Sequence, residues 1–161
     1  RMAARLGEAL SLVRLGKRAD AAAHLAEAVE LVPLDRIEES RGARNAWARL
    51  LSTPTSGIEG ESLPNPVRAL ELANALVAEE SSLEHVETCA MAYAALGRFD
   101  VAIDLQQKAI TAARGAQLDS LSRTLESNLA RYQSGRAAVD PWALDSVTLT
   151  PPPLHSDPRR D

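Results

Sequence analysis

The sequence predicts an all-α chain, a solenoid of antiparallel helix pairs closed by a C-terminal capping helix. Three observations predict it. Every periodic segment repeats its apolar residues at helical spacing. The 161 residues are 45% hydrophobic but only 3% aromatic, so the core must be built from Ala, Leu and Val, which suit close helix–helix approach. One helix–turn–helix unit occurs twice in recognisable form, as "ALSLVRLGKRADAAAHLAEAV" and "AMAYAALGRFDVAIDLQQKAI".

Taken in order, Leu6, Ala9, Leu10 and Val13 share one face of a first helix that ends near Leu15, and Gly16 stands where a left-handed cap is wanted. A second helix runs from about Arg18 to Leu31, with Ala21, Leu25, Ala28 and Val29 on one face, and Pro33 stops it. Asp35 with Glu38 has the pattern of a capping box, opening a third helix to about Ser52 whose apolar face carries Trp47, Leu50 and Leu51. "TPTSGIEGESLP" is turn-rich and reads as a surface loop. Asn65 caps the next helix and Pro66 takes its first position. Ser81 with Glu84 gives a second capping box, for a helix to Leu96 that Gly97 ends.

The following helix spans about Asp100 to Ala113 and Gly115 closes it. The last, about Leu118 to Gln133, has one apolar stripe (Leu118, Leu121, Leu125, Leu129, Tyr132) opposite Ser120, Ser127 and Arg131, as suits the end of a stack. Gly135 terminates it, and "VDPWALDSVTLTPPPLHSDPRRD" reads as extended. The expected organisation is a helical unit over residues 1–135, with pairs at about 4–33, 36–80 and 82–114 and a capping helix at about 117–134. A Pro-rich extended tail, 136–161, follows.

Superposing Gly16 on Gly97 aligns Ala9 with Ala90, Leu12 with Tyr93, Ala21 with Ala102 and Ala28 with Ala109. Two helices joined by a tight turn must approach closely. The first two alanines of each unit leave room where the backbones cross, the glycine reverses the chain, and the third alanine lets the next unit dock. These residues, with Pro33 as a repeat-ending proline, resemble the tetratricopeptide repeat family. A degenerate middle copy places Trp47, Ala48 and Leu51 in its first helix and Ala69, Ala73 and Leu76 in its second. The pattern "NAWARLLSTP … NPVRALELA" is similar to bacterial members near the C-terminal end of an array. The resemblance spans about Leu6 to Tyr132 and implies a right-handed superhelix. Gln106 departs from it, standing where the family usually has a large apolar residue.

The resemblance implies a binding module, with a concave groove that holds peptides or helices of other proteins and is lined by the first helix of each pair. Carried onto this sequence, that groove presents Leu6 and Leu10, then Asn45 and Arg49, then Glu87 and Met91. Asn45 and Arg49 have donors for a peptide backbone or a carboxylate, against the plainer reading of Arg49 as solvated surface. One subset of the family grips C-terminal carboxylates with Lys and Asn; Leu6, Leu10 and Glu87 at the corresponding places do not match it. Trp47 has the spacing of a core anchor. Trp142 lies beyond the periodic region and either tucks back over the final helix or docks into a partner.

No residues point to catalysis, a cofactor or a metal. His85 and Cys89 share a helix face, but a second pair of ligands at suitable spacing is missing, so Cys89 reads as a core residue. His24 and His155 stand alone. "GKRAD" lacks the upstream glycine of a phosphate loop. Glu38, Glu39, Glu79 and Glu80 fall at helix ends, where dipole and solvent account for them. A formal net charge of -4 argues against a nucleic-acid surface. No apolar run approaches the ~18 residues of a membrane span, and no signal peptide is recognisable. "RMAARLGEAL" need not be a native start, so a cytoplasmic or a periplasmic setting both stay open. The expected function is a non-catalytic scaffold or assembly subunit that binds another protein or peptide, through the groove and the tail. The alternatives are the C-terminal repeat region of a larger enzyme or electron-transfer protein and, third, an enzyme using Cys89 as nucleophile.

Overall fold

A computed structural model of the chain describes residues 2–143, 146, 148 and 149. They form seven α-helices and no strand: α1 (Met2–Arg14), α2 (Arg18–Glu30), α3 (Arg41–Leu51), α4 (Pro66–Glu79), α5 (Leu83–Ala95), α6 (Phe99–Gly115) and α7 (Asp119–Gln133). Each helix packs on the next, and α3 also touches α1 and α5. The alanines aligned by the sequence repeat lie at these contacts. Ala9, Ala21, Ala90 and Ala102 have no exposed surface, and Ala28 and Ala109 are buried beside them. The middle copy is filled the same way, with Ala48, Ala69, Ala73 and Leu76 fully buried and Trp47 and Leu51 nearly so.

The turns are built to one pattern. At Gly16 (φ 75°) its N–H donates to Val13 O at 2.9 Å and the Lys17 N–H to Leu12 O at 2.9 Å; at Gly97 (φ 73°) the same pair joins Ala94 O at 3.0 Å and Tyr93 O at 2.9 Å. These two bonds satisfy carbonyls that a helix end leaves open, and they require a left-handed residue between them. The α6–α7 turn repeats both bonds, Gln117 to Arg114 O at 3.0 Å and Leu118 to Ala113 O at 2.9 Å, but its left-handed residue is Gln117 (φ 58°). The expectation that Gly115 closes α6 is therefore corrected: Gly115 is the last residue of the helix, and the reversal comes two residues later.

Two other boundaries differ from the sequence reading. The expected third helix is split into a 3₁₀ segment, Leu34–Ser40, kinked at Arg36, and then α3; no Asp35 capping bond forms. Pro33, in extended backbone, sets the entry, while Arg36 clasps Glu39 through two 2.7 Å bonds and Ser40 Oγ turns back to Ile37 O. At α5 the cap is Ser82, whose Oγ accepts from His85 N–H at 3.2 Å, one residue after the expected Ser81. Glu84 is then free to reach α3. The 53–64 loop is only partly on the surface, since Thr53 and Pro54 are buried before it emerges.

Gln106 is fully buried and donates through Nε2 to Leu125 O at 2.9 Å. It thus ties α6 to α7 where the repeat pattern has an apolar residue. The Gln117 turn yields a test. Replacing Gln117 by Gly relieves left-handed strain and should raise stability by a few tenths to about 1 kcal/mol. Gly97→Ala should lower it by about 1 kcal/mol. Urea midpoints read both, and a Gln117→Gly chain less stable than wild type would refute the assignment of strain.

Candidate functional site

All nine residues from Ala43 to Leu51 are buried, because α3 is enclosed by α1, α2, α4 and α5. A polar side chain on such a helix has to find its partners inside the protein. Arg44 donates to both oxygens of Glu79 on α4 at 2.7 Å, and this hydrogen bonding holds the Glu79 carboxyl below the usual carboxylate range. Asn45 Nδ2 donates to Glu84 Oε1 on α5 at 2.7 Å. One turn further on, Arg49 Nη1 and Nη2 each donate to Glu87 at 3.1 Å, and Nη1 also to Thr88 Oγ1 at 3.1 Å.

The Arg49–Glu87 pair is closed over by the segment after α7. Arg49 Nε donates to Pro141 O at 2.6 Å, and its guanidinium lies over the Trp142 ring, 5.5 Å from the centroid. Arg18 fixes the same segment from α2, donating to Val139 O at 2.8 Å, to Pro54 O at 3.1 Å and to the Asp140 carboxylate. Arg14 donates to Leu149 O. Residues 138–142 therefore form a strap, with Ala138, Pro141 and Trp142 buried. Burial opposes the charge on Arg49, but attraction from Glu87 and its hydrogen bonds outweigh this and keep the guanidinium protonated. Tyr132, buried on α7 within reach of the pair, has its hydroxyl pKa raised, first by burial and then by the Glu87 charge.

The groove residues expected from sequence are thus placed in the interior. Arg49 is 4% exposed and Glu87 4%, with Asn45 and Met91 also buried. The reading of Arg49 as solvated surface is corrected: the strap covers it. Leu6 and Leu10 are half-buried against the main core, and Leu6 packs close to Gly42. Trp142 turns back onto its own chain, but over Arg49 of α3 rather than over the final helix that the first of its two readings named. His155 lies outside the described residues.

The sequence reading missed Arg18, Arg44 and Tyr132. One signal was present. Glu79 ends α4, where the helix dipole disfavours a carboxylate, so the reading that dipole and solvent account for it is corrected: it is paired with Arg44 of α3.

Beside the strap a cavity of about 500 Å³ opens between α5 and α7. Leu83, Leu118, Leu121 and Trp142 supply apolar walls, and Glu84 and Asp119 add carboxylates. Leu118 is 46% exposed.

Cys89 and His85 are not a pair. Cys89 Sγ donates to Asn74 Oδ1 at 3.3 Å, and burial pushes its thiol pKa up to about 11. His85 Nδ1 lies 2.7 Å from Glu80 O. His24 is not isolated either, since its Nε2 is 2.9 Å from Glu8 Oε2. No cluster of three or more possible metal ligands occurs among the described residues. Nor is any described helix long and apolar enough to cross a membrane. No family model, curated protein or solved structure matches the chain.

Two outcomes follow from these environments. Arg49→Ala leaves the Glu87 charge buried and unpaired, and should cost about 3–5 kcal/mol, whereas the joint replacement Arg49→Met with Glu87→Met should recover much of that loss. A double-mutant cycle by urea unfolding measures it, and a cost under about 1 kcal/mol for Arg49→Ala would refute the burial argument. At pH 8, three below the thiol pKa of about 11, only about one Cys89 side chain in a thousand is ionised. Thiol reagents should therefore label the native chain far more slowly than the urea-unfolded chain; equal rates would contradict this.

Proposed function

We propose that this chain is a non-catalytic protein-binding module or assembly subunit, a tetratricopeptide-like solenoid that takes an extended segment of polypeptide across α3. The observation that supports this reading is the strap. Arg18 and Arg49, on successive helices, each donate to a main-chain carbonyl of the strap, at Val139 and Pro141. Carbonyl recognition is indifferent to side-chain identity, so the same donors serve a segment from another protein. The Trp142 ring adds a side-chain anchor stacked on the guanidinium. Nothing in the geometry favours chemistry at Cys89, whose thiol is buried and held protonated.

A labelled peptide of residues 136–149 tests the reading. Trp142→Ala in the full chain removes the anchor and loosens the strap, so the peptide should bind this variant and not wild type, where the face is already filled. Fluorescence anisotropy measures both, with circular dichroism to verify that the variant is folded. A folded Trp142→Ala chain that ignores the peptide would show that the face accepts no segment in trans.

A further inference from the structure

We infer that the cavity between α5, α7 and Trp142 docks a partner protein segment that presents an apolar side chain next to a lysine or arginine. This rests on the reading of the chain as a binding module and names the chemistry of its partner. The volume, about 500 Å³, falls in the range of specific ligand sites. Leu83, Leu121 and Trp142 make an apolar receptacle, and the half-exposed Leu118 stands in its wall as an uncovered contact.

Charge selects the occupant. Among the described residues, Arg49, Glu84, Glu87 and Asp119 are the charged groups lining the cavity. The Arg49 guanidinium is already committed to Glu87, Thr88 and Pro141 O. Glu87 is spent on Arg49 in return. Glu84 accepts from Asn45 through one oxygen only, and Asp119 has no ion-pair partner among the described residues. Among the described residues, three carboxylates therefore border an apolar receptacle against one cation, Arg49, whose charge Glu84 also attracts, in a chain of net charge -4. Such a field repels acidic peptides and nucleic acid and attracts a basic side chain. Asp119 also gains from its place in the first turn of α7. Glu84 gains in the same way from the first turn of α5, so two helix N-termini bring their acids to one apolar cavity.

Selection of displayed random peptides of about a dozen residues on the immobilised full chain tests the inference. Recovered peptides should share an apolar residue adjacent to Lys or Arg, and bind more weakly as salt is raised. Asp119→Lys should weaken them by about tenfold or more, the scale of one lost charged contact. Leu118→Ser should weaken them too. It preserves the fold because Leu118 is the N-cap of α7, where serine is favoured. Acidic peptides, peptides indifferent to both variants, or an empty selection would overturn the inference. Binding of the 136–149 peptide to the Trp142→Ala chain is a separate readout. Success there with failure here discards the cavity and retains the module; failure of both discards the module as well.

Discussion

The structure depends on the enclosure of α3. A helix with neighbours on every side has no face on which water can solvate a charge, and α3 carries Arg44, Asn45 and Arg49. Each donates to a different set of groups: Arg44 to Glu79 on α4, Asn45 to Glu84 on α5, and Arg49 to Glu87, Thr88 and the strap. Those bonds are cross-links, and they fix how α4 and α5 sit against the central helix. Buried ion pairs add little net stability, since desolvation offsets attraction, but a member left without its partner is strongly unfavourable. The arrangement therefore penalises wrong registers more than it rewards the right one.

Much of the helical organisation was legible in the sequence because it rests on local chemistry. Gly16 and Gly97 mark turns that need a left-handed residue, and small residues at fixed distances from them mark where backbones cross. Pro33 and Pro66 have fixed consequences for any helix. The failures were local competitions that composition does not decide. Gly115 is the better residue for a left-handed turn, yet α6 runs on through it and Gln117 takes the turn, closed by the hydrogen bonds from Gln117 and Leu118. Ser81 and Ser82 are equally good caps by type. Glu84 would complete a capping box with Ser81, but it bonds Asn45 instead, and the helix opens one residue later.

The site was less legible, for a different reason. Helical periodicity says which residues share a face; it does not say what covers that face. Arg49 was assigned to its helix face from sequence, but its burial is caused by Pro141 and Trp142, some ninety residues away, for which nothing local to α3 gives a sign. Arg18 was equally opaque, since its partners Pro54, Val139 and Asp140 lie in two separate non-helical segments. Glu79 carried the one usable clue, an acid at a helix end whose dipole opposes it. A lone clue of that kind asks for a cation without naming which.

Apolar side chains at positions 49 and 87 together would pack α3 against α5 as readily as the ion pair does. They would not position the strap. The guanidinium is planar and directs its donors outward in several directions at once, so one group can hold the Glu87 carboxylate, the Thr88 hydroxyl and the Pro141 carbonyl while presenting its face to the Trp142 ring. Remove those donors and the strap keeps its Arg18 hydrogen bonds, but the Trp142 ring is left without its stacking partner. The ring is also a wall of the cavity beside α7. A single buried arginine thus couples three levels of the molecule: the register of two helices, the path of the segment that follows the last helix, and the shape of the apolar opening between α5 and α7.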